Sequence, residues 1–296
     1  MKKFILLISS LLLFIISCGS GSSSSEASNK VSVGLSISTL NNPFFVSLSD
    51  GAKKKAKELN INLSVVNASD DTAKQTSDIE DLISKKVQVI IVNPVDSDAV
   101  APAVQDAIDA GIKVIALDRV VNGVEVDSEI SSDNVVGAEL ATKYLLELVG
   151  SSADVAELIG IPGASATIDR GKGFHNIADV NLKVVASQTA NFNRAEGLSV
   201  MENILQANPN IKGVFAHNDE MALGALEAIV ASGKDIAIIG FDATEDAVLA
   251  VKDGLMKATV AQQPDLMGSI AVETAFKIAN GEEVEKKIPV EVTLVK

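Results

Sequence analysis

From Val31 onward, short and nearly continuous apolar runs alternate with longer amphipathic segments, and this alternation restricts the fold more than any other feature. The runs are Val31–Ile37, Ile61–Val66, Val87–Val92, Ile112–Leu117, Asp154–Ile159, Leu182–Ala186, Gly213–Ala216, Ile236–Gly240 and Lys257–Ala261. Most are β-branched and apolar throughout, as strands must be when both faces of a sheet are covered. Between them, apolar residues recur at helical spacing. The first such segment shows the pattern. Asn42 is a good N-cap and Pro43 suits a first helical turn. Phe44, Phe45, Leu48, Ala52, Ala56 and Leu59 then form a stripe, with Lys53, Lys54, Lys55 and Lys57 mostly outside it. Strand and helix in alternation predict a parallel α/β sheet with right-handed crossovers. The runs suffice for one wide sheet, a barrel or two smaller sheets, and periodicity alone does not choose among them. A chain of 296 residues has room for about two domains, and 47% apolar content argues against disorder.

The first residues have a different character. Met1-Lys2-Lys3 precedes an apolar run, Phe4 to Ile16, interrupted only by Ser9 and Ser10. A charged start followed by a short apolar stretch has the proportions of a secretory signal and is too short to span a bilayer comfortably. The run ends in Ile15-Ile16-Ser17-Cys18, and a Gly/Ser-rich stretch follows. Apolar-apolar-small-Cys resembles a bacterial lipobox, in which the cysteine becomes the lipidated N-terminus; Cys18 is the only cysteine of the chain. Acyl chains there would hold the protein at a membrane surface, with residues 18–30 as a flexible tether. The expected location is the cell envelope, on the periplasmic or extracytoplasmic face.

The charge balance excludes other classes. With 25 Lys+Arg against 39 Asp+Glu, the net charge is −14 and no basic stripe exists for nucleic acid. One cysteine rules out an internal disulfide framework and a Cys-built zinc site. His175 and His217 are the only histidines and form no spaced metal pair. The chain has no Gly-x-Ser-x-Gly elbow, no phosphate-binding loop and no dinucleotide fingerprint; Gly171-Lys172-Gly173-Phe174 lacks the third glycine. No metal and no cofactor is implied, and the chain does not read as an enzyme.

Open parallel sheets bind ligands beyond the carboxyl ends of their strands. After the first run come Asn41, Asn42, Phe44 and Phe45; after the third, Asn93; after the fourth, Asp118 and Arg119. The fifth leads through Gly160-Ile161-Pro162-Gly163 to a helix carrying Arg170. Phe192, Asn218 with Asp219, Phe241 with Asp242, and Gln262 follow the later runs. Carboxylates, amides, forked guanidinium donors and flat aromatic faces at one edge suit a small polyhydroxylated ligand. Such groups bridge adjacent hydroxyls, and the apolar face of a sugar ring packs on phenylalanine. The same residue types also have plainer uses. Asn and Asp after strands cap helices or form turns, Phe fills cores, and Asp118-Arg119 reads equally as a surface ion pair.

Five segments carry a closer likeness. They are Ser38-Thr39-Leu40-Asn41-Asn42-Pro43-Phe44-Phe45, Asn93-Pro94-Val95-Asp96-Ser97-Asp98-Ala99, Leu117-Asp118-Arg119, His217-Asn218-Asp219-Glu220-Met221-Ala222-Leu223-Gly224 and Gly240-Phe241-Asp242. In order and spacing they resemble the type I periplasmic sugar-binding proteins of ABC importers, and within them the ribose-binding branch. The resemblance runs from about Lys30 to the C-terminus. It implies two Rossmann-like, doubly wound parallel-sheet lobes joined by a three-strand hinge. On that pattern residues 31–132 plus 263–291 form the N-terminal lobe and 133–262 plus 292–296 the C-terminal lobe, after a signal at 1–17. The implied ligand set is Asn42, Phe44, Phe45, Asn93, Asp118, Arg119, Arg170, Phe192, Asn218, Phe241, Asp242 and Gln262. The implied ligand is D-ribose, held by hinge closure and delivered to a membrane permease of an ABC transporter, with a chemoreceptor as a further partner.

The chain departs from this pattern at His217, where the family usually has Gln, and at Ile168 and Asn193, which replace more polar or charged residues. Glucose/galactose and xylose relatives stack sugar on Trp, and this chain has none. The alternative role is a receptor for allose or autoinducer-2 that feeds chemotaxis or signalling. A sugar-responsive transcription factor would carry a helix-turn-helix in place of a signal, and a secreted hydrolase would turn its sugar over.

Overall fold

The computed structural model describes residues 30–296; the expected signal, Cys18 and nearly all of the tether lie outside the described residues. The chain builds two six-stranded sheets. The first contains β1 (Ser32–Ile37), β2 (Asn62–Asn67), β3 (Val89–Val92), β4 (Lys113–Leu117), β5 (Ser128–Ser132) and β11 (Lys287–Val290), in the order β11-β5-β4-β3-β1-β2. The second contains β6 (Asp154–Ile159), β7 (Lys183–Thr189), β8 (Gly213–Ala216), β9 (Ala237–Asp242), β10 (Ala258–Ala261) and β12 (Thr293–Val295), in the order β12-β10-β9-β8-β6-β7. All pairings are parallel except β12 against β10. Neither sheet closes, so of the architectures the periodicity allowed, two open sheets is the one formed.

The central strands are largely apolar on both sides because each sheet is covered on both sides. In the first sheet Val33, Leu35, Ile37, Val89, Ile91, Ile115 and Leu117 face α1 (Pro43–Glu58) and α9 (Pro264–Ala279). Their neighbours Ile90, Val92, Val114 and Ala116 face α2 (Thr72–Ser84) and α3 (Ala101–Asp109). The second sheet repeats the plan. Phe215, Ile239 and Phe241 face α4 (Asn134–Val149) and α5 (Ser165–Asn181). Leu158, Val214 and Ile238 face α6 (Arg194–Ala207), α7 (Asp219–Ser232) and α8 (Glu245–Lys252). Alternate side chains of one strand therefore belong to different cores.

The strands β5, β11 and β12 are absent from the apolar runs. In Ser128–Ser132 only Ile130 is a large apolar residue, and β11 carries Pro289, which an edge strand tolerates because one side of its backbone has no partner. These strands owe their form to neighbours rather than to their own composition. They flank two of the three connections between sheets, at 132–134 and 290–293; the third, 261–264, runs from β10 to α9. The C-terminal segment thus returns α9 and β11 to the first sheet before β12 joins the second.

Candidate functional site

In both sheets the order 2-1-3-4-5 recurs, as β2-β1-β3-β4-β5 and as β7-β6-β8-β9-β10. Open sheets of this order leave a crevice at the carboxyl ends, where the connections diverge to opposite faces. Here the two crevices face each other. The cleft between them is lined by Asn42, Phe44, Phe45, Asp118 and Arg119 from one lobe and by Ala166, Arg170, Phe192, Asn218, Asp242 and Gln262 from the other lobe and a connection. Together they form a narrow polar cleft between the lobes. The lobes also touch directly: Ser97 N donates to Gly163 O at 2.9 Å, Ser165 N to Ser97 Oγ at 3.2 Å and Val120 N to Ser165 Oγ at 3.0 Å.

Helix capping and ligand contact turn out to be compatible. Asn42 Oδ1 accepts from Phe44 N at 2.9 Å, and Asn218 Oδ1 accepts from Met221 N at 3.0 Å. Each cap fixes its carbonyl toward the helix; the Asn42 NH2 is left to the cleft, while the Asn218 NH2 gives one N–H to the Phe192 carbonyl at 3.4 Å and keeps the other. Three cleft residues sit on left-handed backbone unusual for their types: Asp118 (φ 66°), Phe192 (φ 58°) and Asp242 (φ 127°). Strain of this kind persists where the surroundings over-determine it, and here it aims side chains at the cleft.

The charges are buried and balanced. Arg119 Nε lies 3.7 Å from Asp118 Oδ2, and Arg170 Nη1 lies 3.8 Å from Asp242 Oδ1. Arg170 is held firmly, its Nε donating to Asn134 Oδ1 at 2.8 Å and Nη1 to the His217 carbonyl at 2.6 Å. Its guanidinium stacks 3.9 Å from the Phe241 ring centroid, and Arg119 lies between Phe45 and Phe192 at 5.2 and 5.4 Å. Burial raises the carboxyls of Asp118 and Asp242 above their ordinary range, with Arg119 opposing it at Asp118 and Arg170 at Asp242. Neighbouring Asp219 is pushed up to about 7 by burial, against hydrogen bonds from Thr259 and Thr244. Arg119 Nε and Gln262 Oε1 are buried without a hydrogen-bond partner from the protein. A donor and an acceptor left open in one polar cleft are what a ligand hydroxyl, able to accept and donate, satisfies together.

Two residues of the sequence-derived set lie behind this lining. Asn93 is fully buried and saturated: Oδ1 accepts from Ser38 N and Oγ, while Nδ2 donates to Leu117 O and to Asp118 Oδ2 at 3.2 Å. It braces Asp118. Phe241, also fully buried, forms the floor on which Arg170 stacks. Conversely, Ala166 lines the cleft without belonging to the sequence-derived set; its position one helical turn before Arg170 is the signal that points to it. Among the described residues no cluster of His, Cys, Asp or Glu is arranged to hold a metal ion.

Gly160, at the end of β6, sets the height of Phe192. A Cβ there would stand 2.1 Å from the Phe192 ring. Gly160→Ala is therefore expected to lift Phe192 away from Arg119 and Arg170 and weaken ligand binding about tenfold, ~1.4 kcal/mol. Calorimetric titration beside a thermal melt checks this; unchanged affinity would remove Phe192 from the site.

Two lobes with facing sheet edges, joined by three connections and enclosing a balanced polar cleft floored by aromatic rings, define a bilobal solute-binding protein. The sequence comparisons make the class specific. The chain belongs to the family described as periplasmic binding protein domain, whose model matches residues 33–283. It is 50% identical over 295 residues to the ribose import binding protein RbsB of Bacillus subtilis (strain 168), covering 97% of both chains. With the ribose import binding protein RbsB of Escherichia coli (strain K12) it shares 46% identity over 297 residues, covering 100% of this chain and 98% of that one. A solved periplasmic solute-binding protein of an ABC transporter from Actinobacillus succinogenes 130z, with bound D-allose, superposes with TM-score 0.85 at 37% identity, covering 90% and 98%. The family is one of periplasmic solute-binding proteins. Among the described residues no helix is long and apolar enough to cross a membrane.

Proposed function

We propose that this protein captures D-ribose in the interlobe cleft and delivers it to the membrane permease of an ABC importer. The single observation that carries this is full-length identity of 46–50% with two ribose import binding proteins, joined to an interlobe cleft lined by amides, carboxylates, guanidinium groups and phenylalanines. Asn42, Asp118, Arg119, Arg170, Asn218, Asp242 and Gln262 would bridge the sugar hydroxyls, with Phe44, Phe45 and Phe192 covering the faces of the ring. Asn93 and Phe241 would support Asp118 and Arg170. Ligand groups from both lobes make the closed state bind sugar far better than the open one, so sugar shifts the population toward closure. The N-terminal signal and lipidation at Cys18 complete the proposal, supported by the pattern of residues 1–18, and place the lobes on a tether at the outer face of a membrane.

Titration with ribose, allose, arabinose, xylose, galactose and autoinducer-2 tests the specificity. Ribose is expected to bind with Kd of about 1 μM or tighter, well ahead of the rest. No heat with ribose and clear heat with another member of the panel would overturn the assignment. Allose is the nearest competitor, since the Actinobacillus succinogenes protein was solved with it.

A further inference from the structure

The chain has two histidines, far apart in sequence, and both meet the same buried carboxylate. His217 Nε2 lies 2.9 Å from Glu157 Oε1, and His175 Nε2 lies 3.3 Å from Glu157 Oε2. His217 is 1% exposed, whereas the His175 side chain is 41% exposed and contacts Asp179 through Nδ1 at 2.8 Å. The other ring nitrogen of His217, Nδ1, faces the Gly160 N–H at 3.5 Å. An N–H can only donate, so Nδ1 must be the bare nitrogen and Nε2 must carry the proton toward Glu157. The His217 carbonyl meanwhile accepts from Arg170 Nη1. One residue thus touches the loop that begins at Gly160, which reaches across the cleft through Gly163 and Ser165, and the arginine at the cleft floor.

We infer that His217 is a proton-linked positioning residue: its neutral imidazole seats Gly160 while its main-chain carbonyl holds Arg170, so its protonation opposes closure and weakens sugar binding. This rests on the reading of the cleft as a sugar site. A second ring proton would set Nδ1–H against Gly160 N–H, two donors facing each other. It would also add a positive charge beside Arg170. Closing the lobes would desolvate Arg170, which Asp118 of the first lobe faces, and so raise the cost of an added charge beside it. Closure and proton uptake therefore compete, and by linkage acid weakens the ligand.

The surrounding charges agree. Facing His217 are Glu157 on β6, Arg170 and His175 on α5, and, beyond Arg170, Asp242 on β9 and Asp219 on α7. Burial lowers the His217 pKa, Glu157 works against it, and Arg170 and His175 add to the lowering. Burial would raise Glu157, but its contacts with His217 bring it below the ordinary carboxyl range. Burial would lower His175, yet Asp179 and Glu157 raise it overall. On acidification His175 takes its proton first and at the surface, and His217 follows in the interior.

The test compares ribose titrations of wild type and His217→Gln between about pH 5 and pH 8. Glutamine cannot titrate, and its amide can donate to Glu157 and accept from Gly160 at every pH. Wild-type affinity is expected to fall several-fold, up to about tenfold, toward the acid end, which a one-unit difference in pKa between free and bound states allows. His217→Gln should lose less. Asp118, Asp242 and Asp219 titrate in both proteins, so the difference between the two profiles isolates His217. Parallel profiles would overturn the inference. Should the variant fold poorly, the wild-type imidazole resonances serve, with His175→Gln to assign them: the His217 pKa must be lower in sugar-saturated than in free protein, and equal values overturn the linkage. Absence of ribose binding at neutral pH would instead overturn the choice of sugar, and the same measurements then run with whichever sugar of the panel binds.

Discussion

Arg170→Ala is expected to weaken ribose binding by at least ~3 kcal/mol, roughly two orders of magnitude in Kd. Arg170 is almost fully buried, and its removal strands several groups at once. Asp242 loses the cation 3.8 Å away, Asn134 Oδ1 and the His217 carbonyl lose their donors, and the Phe241 ring loses the guanidinium stacked on it. Asp118 also loses a charge that opposes its upward shift. Unpaired buried acceptors cost more than the bonds they had contributed, because desolvation is no longer offset. Arg170→Lys should recover only a part, since an ammonium keeps the charge but not the planar fork that reaches Asn134 and the carbonyl together. Calorimetry on folded protein, verified by circular dichroism, is the check. Near-wild-type affinity for Arg170→Ala would sink the proposed site.

A second large effect lies far from the cleft. Gly268→Val in α9 is expected to lower stability by about 3 kcal/mol, at the upper end of overpacking costs. A Cβ at Gly268 would stand 2.0 Å from the Leu48 carbonyl oxygen of α1, and one at Gly51 of α1 would stand 2.1 Å from the Asp265 carbonyl oxygen. The two helices meet backbone to backbone through these glycines. Valine can relieve the clash only by separating α1 from α9, which opens the core around Leu48, Ala52, Met267, Ala271 and Val272. Because that core joins the N-terminal segment to the returning C-terminal one, the first lobe is weakened as a unit. Thermal unfolding should shift down by about 6–12 °C for a unit of this size. An unchanged melt would show that the helices can spread at no cost.

Much of the site was legible because strand ends in open α/β sheets are where ligands bind. The residues after the apolar runs, taken in order, include nearly the whole lining. What that rule lacks is depth. Asn93 lies just past β3 as Asp118 lies just past β4, and Phe241 and Asp242 end β9, yet the Asn93 amide is taken up by Ser38, Leu117 and Asp118, and Phe241 is covered by Arg170. Which strand-end residue reaches the cleft depends on partners from other strands. Ala166 carries no polar group, so nothing in its chemistry marks it as a lining residue.

The sequence by itself determined the strands buried on two faces, because burial on both sides demands uninterrupted apolar runs, and the helix starts at Asn42 and Asn218, because capping is a local hydrogen bond. It also determined which chemistry gathers at the sheet edges. Only the tertiary structure decided that the strands divide into two facing sheets, and that polar Ser128–Ser132 and proline-bearing Lys287–Val290 are strands at all, since their form comes from neighbours. The seating of α1 on α9 through Gly51 and Gly268, and the convergence of His175 and His217 on Glu157, were decided there too. These are contacts between residues far apart along the chain, and close packing, unlike periodicity, leaves no local trace.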